Sequence, residues 1–197
     1  IFQYPWLILG ALAIFFHVGS QMISLATIID YAGTMGLPLE GNAKNFPSFT
    51  MFFTFLGYLS GIVLIPKYLN QKNALLICSS LGLLFSLLTI FTTGKVNILG
   101  LETDISIWFL VLMGYSNALI YTGIWPLAIR DLGKYTNLGS SFLVMGLCGS
   151  AILPLVFSYV VDLNSALPLF DAYKVAYWVM VPCFLYLIFF ATIGHKI

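Results

Sequence analysis

The sequence predicts an all-α membrane protein with six transmembrane helices. Two observations carry this prediction: how apolar the chain is, and where its few charges fall. Of 197 residues, 60% are hydrophobic and only 8% are charged. A typical soluble domain is about 25% charged, so this chain lacks the polar residues to cover a water-facing surface. Its eight Lys/Arg and seven Asp/Glu leave six charge-free stretches: 1–29, 45–66, 73–94, 105–129, 135–161 and 175–194. A helix needs about 20 apolar residues to cross the hydrocarbon core. One charge at the centre costs about 2.5–3.5 kcal/mol on insertion scales. The predicted spans are therefore about 5–29, 46–66, 73–93, 105–129, 137–161 and 175–194, forming one bundle over 1–197. Leu7 to Phe16 and Leu83 to Ile90 are nearly continuous apolar runs, without the alternation of membrane barrel strands. A net charge of +1 excludes a nucleic-acid partner held through phosphates, which needs a basic field.

The connections set the orientation. The short loops, 67–72 and 130–134, hold Lys67, Lys72, Arg130 and Lys134. The long loops, 30–44, 95–104 and 162–174, hold six of the seven acids and only three lysines. Cytoplasmic loops are enriched in Lys and Arg, so the short loops and both chain ends are expected in the cytoplasm. The first residue is Ile1 and no basic segment precedes the first span. It does not read as a signal peptide, and the chain is expected to be cut from something longer. Cys78, Cys148 and Cys183 lie singly in three spans. They show no metal or disulfide spacing and read as buried small apolar residues. No cofactor or metal is expected.

Span 1 carries a polar arc. His17, Ser20, Gln21 and Ser24 fall within roughly 100° of the helix circumference. Lipid cannot satisfy them, so the arc faces protein or a water-filled cavity. Helix–helix hydrogen bonding accounts for the serines, whereas Gln21 and His17 are candidate ligand contacts. In span 4, Asn117, Tyr121 and Trp125 follow one another at turn spacing, and Pro126 with Gly123 predicts a kink at Thr122. Amide plus aromatic rings on one helix suits a sugar, the amide taking hydroxyls and the ring covering a C–H face. The same residues would also pack two helices together. Gly57 and Gly61, with Thr50 and Thr54, and Gly139, Ser140, Ser141, Gly146, Gly149 and Ser150 read as close-packing faces of spans 2 and 5. Pro154 and Pro182 predict further kinks.

Other classes fit poorly. An intramembrane serine protease needs a G-x-S-G nucleophile, which Gly146-Leu-Cys-Gly-Ser150 does not supply. Metalloprotease, Walker A and dinucleotide motifs are absent from the sequence. No charged ring suggests a channel. A structural membrane subunit, with the polar faces as packing devices, stays open as the alternative to a transporter.

Four stretches carry a resemblance. Phe16-His17-Val18-Gly19-Ser20-Gln21 resembles the F-Y-V-G-A-Q/E stretch that opens the second half of sugar permeases. Asn117 to Gly133, NALIYTGIWPLAIRDLG, is similar to their N-S-I-x-F/Y-P-T-I-F-x-L-A-I-K-x-L-G stretch. Lys134 to Gly146, KYTNLGSSFLVMG, resembles the G-S-S/A-F-I-V-M element that follows. Gly57 to Gly61, with Lys67 and Lys72, resembles the cytoplasmic loop between helices eight and nine. The family is the fucose–galactose–glucose:proton symporters of the major facilitator superfamily. His17, Thr122, Pro126 and Tyr58 depart from its usual residues.

The resemblance covers essentially the whole chain, as the C-terminal half of a twelve-helix fold. It implies two inverted three-helix repeats, an inner-membrane multi-pass location, and a missing N-terminal half that carries the coupling carboxylates. It implies a monosaccharide and a proton as partners, and a transporter rather than an enzyme. The expected sugar contacts are Gln21 and Asn117 through hydrogen bonds, Tyr121 and Trp125 as an aromatic wall, and His17 beside them.

Overall fold

The computed structural model describes residues 4–37, 42–65, 67–98 and 100–196. Residues 38–41 of the first predicted loop, Glu40 among them, Pro66 at the end of the second predicted span, Leu99, and the chain ends lie outside the described residues. Six helices are long and apolar enough to cross a membrane: span 1 (Pro5–Thr34), span 2 (Asn42–Leu64), span 3 (Gln71–Phe91), span 4 (Ile105–Ala128), span 5 (Gly133–Leu163) and span 6 (Leu169–Lys196).

Their ends follow local chemistry. Pro5 opens span 1, where a missing N–H costs nothing because the first turn has no acceptor for it. Asp104 caps span 4, its carboxylate accepting the Ser106 N–H at 2.9 Å. The expected loop 95–104 contains an antiparallel hairpin, β1 (Lys95–Ile98) paired with β2 (Leu101–Asp104). Its turn uses Gly100 at φ +78°, a conformation glycine adopts without a Cβ clash. Much of the expected loop 162–174 is instead the first turns of span 6, which starts at Leu169.

The packing has a hidden symmetry. The principal neighbours are spans 2 with 4, 1 with 5, 3 with 4, 1 with 6, 3 with 6 and 1 with 4. Exchanging span 1 for 4, 2 for 5 and 3 for 6 returns the same set of pairs. That is the pattern of two repeats of three helices, and an odd helix number makes the second repeat run inverted. The small residues obey the same exchange. A Cβ at Gly57 of span 2 would stand 2.6 Å from the Ala118 Cβ and 2.8 Å from the Tyr115 carbonyl oxygen of span 4. Correspondingly, a Cβ at Gly146 or Gly149 of span 5 would collide with the backbone carbonyls of Ala11 and Phe15 of span 1. Small residues let backbones approach where lipid provides no hydrophobic drive between helices. The span 5 serines Ser140, Ser141 and Ser150 sit beside this contact rather than in it, only partly buried or exposed.

Spans 1 and 4 are central. Spans 2 and 5 are peripheral and expose apolar side chains, including Phe52, Phe55 and Ile62 on one, Met145, Leu155 and Tyr159 on the other. Such surfaces suit a bilayer. Cys78 and Cys183 are buried as expected, but Cys148 is exposed. It lies on the outer side of span 5, because the inner face is taken by the stripe Gly139, Leu143, Gly146, Gly149, Leu153 and Phe157.

Spans 4, 5 and 6 are each interrupted, as their prolines predicted, but the break in span 4 does not fall at Thr122. Pro126 and Pro154 sit inside unbroken helical segments. Span 4 is interrupted at residues 118–119, span 5 by a 3₁₀ turn at Gly146–Cys148, and span 6 by one at Tyr177–Val179. Each interruption lies N-terminal to the proline of its span. A proline leaves the carbonyl four residues earlier without its donor and crowds it, which for Pro182 is Trp178, within the observed turn. In spans 4 and 5 the irregular turn lies one turn further back. There Ala118 and Leu119 press on Gly57 and Gly61, and Gly146 on Ala11. Helix contact, not proline alone, places those breaks.

Candidate functional site

Spans 1 and 4 pack along a seam, and His17 and Asn117 are buried. Three contacts fix its register. The Trp6 indole N–H donates to the Arg130 carbonyl at 3.2 Å. Gly10 packs against Ala128. The Tyr31 and Ser106 hydroxyls share a hydrogen bond of 2.7 Å. Residue numbers rise on one helix as they fall on the other, so the spans are antiparallel. At the same pace, Asn117 lies opposite Gln21, and Tyr121 opposite His17.

Periodicity puts the polar groups in this seam. Gly10, His17, Ser24 and Tyr31 are spaced by seven, and Ser106, Asn117 and Ala128 by eleven. Both spacings return to nearly one side of a helix. The end members of each series touch across the seam, so His17, Ser24 and Asn117 occupy its middle. His17 is 1% exposed and Asn117 2%. The His17 Nδ1 and both amide atoms of Asn117 have no hydrogen-bond partner.

The serines behave differently. Ser20 and Ser24 are fully buried, but their hydroxyls donate to the carbonyls of His17 at 2.9 Å and Gln21 at 2.8 Å. They are satisfied within span 1, not by a neighbouring helix as the sequence suggested, because a serine hydroxyl reaches the carbonyl of the preceding turn.

The other three candidates are half-buried. Gln21 stands at the edge of the polar arc. The Tyr121 and Trp125 rings are 5.6 Å apart between centroids and tilted by 37°, a contiguous aromatic surface one and two turns beyond Asn117. The break at residues 118–119 falls between Asn117 and these rings. Beside it, a groove of about 370 Å³ is lined by Tyr58, Gly61, Ile62, Ile65, Leu119 and Thr122. Sequence reasoning missed Ser79 of span 3, which is fully buried with an unpartnered hydroxyl. Serines scattered through an apolar helix, as Ser79, Ser80 and Ser86 are, carry no sequence signal of that kind.

The two ends of the bundle are tied separately. At the end holding the loop after span 4, the Arg130 guanidinium donates to the His195 carbonyl at 3.5 Å, and with the Trp6 bond it links spans 1, 4 and 6. Its ion pair with Asp131 at 3.1 Å is exposed on both sides and worth little. At the hairpin end, the Lys174 ammonium donates to the Thr92 carbonyl and lies 4.9 Å from the Phe170 ring centroid. Asp104 accepts the Gly94 N–H at 2.9 Å as well as that of Ser106. Partial burial alone would raise its pKa. The bonds from Ser106 and Gly94, with the Lys174 charge, outweigh this and hold the carboxyl below its ordinary value. Among the described residues, no group of three His, Cys, Asp or Glu is placed to hold a metal ion.

No protein-family model matches the chain. It is 25% identical over 196 residues to the glucose/galactose transporter of Brucella abortus biovar 1 (strain 9-941), covering 98% of this chain and 43% of that protein. It is 28% identical over 201 residues to the putative glucose/galactose transporter of Helicobacter pylori (strain ATCC 700392 / 26695), covering 100% and 45%. With the L-fucose-proton symporter of Escherichia coli (strain K12) it shares 29% identity over 161 residues, 81% and 34% of the two chains. The chain thus spans under half the length of these relatives. The crystal structure of the major facilitator superfamily transporter FucP in its outward conformation superposes with a TM-score of 0.82 at 25% identity, covering 96% of this chain and 42% of that one. With six spans in two inverted repeats, the chain has the fold of the C-terminal six-helix half of a major facilitator superfamily transporter, and in sequence it resembles that superfamily's sugar symporters.

Proposed function

We propose that this six-helix unit is half of a secondary active transporter that moves a monosaccharide of the fucose, galactose or glucose kind, coupled to protons. A second six-helix half completes the cavity, and alternating access comes from the two bundles rocking about the substrate. The single observation that carries the reading is the span 1–span 4 seam, where His17 and Asn117 are buried halfway along two central helices with polar atoms that no other side chain meets. Lipid would leave such groups unsatisfied, and a polyhydroxyl substrate matches them. Similarity to glucose/galactose transporters and to an L-fucose-proton symporter supports the choice of substrate class.

In this reading Gln21 and Asn117 hydrogen-bond sugar hydroxyls, Tyr121 and Trp125 cover an apolar sugar face, and His17 lines the deep end. The spans contain no deep Asp or Glu, so the proton is carried by the other half. The unit performs no bond chemistry of its own. The loops bearing Lys67, Lys72, Arg130 and Lys134 face the cytoplasm with both chain ends, in a cell membrane.

The test is sugar uptake by the whole transporter with Gln21→Ala and Asn117→Ala. Each substitution is expected to cut uptake at least tenfold at limiting sugar, with surface expression retained. Unchanged uptake in both removes these residues from the site.

A further inference from the structure

The seam has unmet hydrogen-bonding capacity that its own helices do not fill. Four side-chain atoms are buried and unpartnered: His17 Nδ1, Ser79 Oγ, Asn117 Oδ1 and Asn117 Nδ2. They are not scattered. His17 and Asn117 share the seam, within about one turn of each other by the register above. Ser79 reaches the same level from span 3. Leu75 packs against Gly123, and Cys78 lines a hollow with Leu119, so numbers fall along span 4 as they rise along span 3, and Ser79 stands level with the break that follows Asn117. All three residues are 2% exposed or less.

A buried polar group left unmet is destabilising, because it loses its bonds to water and gains none. Four such atoms weigh heavily against the marginal stability of a fold. Charge does not resolve this. An imidazolium at His17 would find no carboxylate, because none lies deep in any span, and an unpaired buried charge is costlier still.

We propose that His17, Asn117 and Ser79 form an internal water site at mid-membrane, one or two waters bridging spans 1, 3 and 4. Water fits the chemistry. The site presents an amide donor, an amide acceptor, a hydroxyl that does both, and an imidazole nitrogen whose role follows its tautomer. Buried waters typically make about three hydrogen bonds to such groups. Its position at the break in span 4 also fits, since non-helical backbone at membrane depth is tolerated where water meets it. The site shares His17 and Asn117 with the sugar reading but does not rest on it, because in the sugar-free protein these atoms still need partners.

Two measurements test it on the full-length protein in nanodiscs. The first is X-ray hydroxyl-radical footprinting, in which radicals formed from bound water oxidise adjacent side chains. His17 is expected to be oxidised several-fold faster than Phe184, an apolar side chain that is also fully buried. Equal protection of the two would overturn the proposal. The second is a thermal double-mutant cycle of His17→Phe and Asn117→Leu. Shared water predicts that each single change lowers Tm by a few degrees and that the double falls no further than the worse single. A dry seam predicts additive changes, with each substitution neutral or stabilising, and that result would also overturn it. If the variants do not fold, the footprint of the unaltered protein decides alone.

Discussion

Trp125 shows what one residue of the site is expected to do. Its ring is half-buried against Tyr121, leaving part of its face free. An aromatic contact contributes about 0.5–1.5 kcal/mol beyond area burial. Trp125→Ala should therefore raise the KM for sugar roughly three- to tenfold, with kcat changed much less. An unaltered KM would place the ring in packing alone. The cysteines make a second prediction at this scale. In detergent, a maleimide should modify Cys148 first and reach Cys78 and Cys183 only after unfolding, because Cys148 is exposed and the others are buried. Equal rates would contradict the outward placement of that face of span 5. His17 and Asn117 were legible in the sequence as polar residues needing partners. Their lack of any partner was not, because it depends on what stands opposite.

At the scale of elements, glycine contacts decide where helices meet and where they break. Gly57→Leu would drive a side chain into Ala118 and the Tyr115 carbonyl. Overpacking typically costs about 1–3 kcal/mol, so the variant should lose several degrees of Tm and yield less folded protein. A Tm equal to the parent's would show that spans 2 and 4 separate freely. The hairpin between spans 3 and 4 gives a pH prediction. The Asp104 carboxyl is held below its ordinary value by hydrogen bonds from Ser106 and Gly94 and by the Lys174 charge, which together outweigh partial burial. Its contribution is present above the unfolded carboxylate pKa of about 3.9 and is lost as pH falls through the lower folded value. Hydrogen exchange at the Gly94 and Ser106 amides should quicken across that acidic window, beyond the intrinsic pH effect. Asp104→Asn should abolish that extra step. Prolines were the misleading signal at this scale. Pro126, Pro154 and Pro182 predicted irregular turns in the right helices, but only the turn in span 6 falls at the crowded carbonyl; in spans 4 and 5 it lies about one turn earlier, where close contacts with spans 2 and 1 press on the helix.

Over the whole molecule, the exchange of spans 1, 2 and 3 for 4, 5 and 6 makes the bundle two inverted copies of one packing plan. It explains why spans 1 and 4 are both central and why the polar groups collect between them. It also makes orientation testable. Single cysteines in place of Lys67 and Lys134 should react with a membrane-impermeant thiol reagent only from the cytoplasmic side, and one in place of Asn97 of the hairpin only from the opposite side. Labelling of all three from one side would overturn the orientation drawn from the basic short loops.

The sequence by itself determined the class, the number of spans and the short list of polar candidates. These follow from composition and from where charges interrupt apolar runs, and the bilayer imposes that rule locally on every segment. Only the tertiary structure decided that His17 and Asn117 are buried without partners, that Ser20 and Ser24 are satisfied inside their own helix, that the Ser79 hydroxyl is buried unmet, and where spans 4, 5 and 6 break. Each of those depends on the register between helices far apart in sequence. That register is set by the close approach of small residues such as Gly10, Gly57 and Gly149, and no local pattern encodes it.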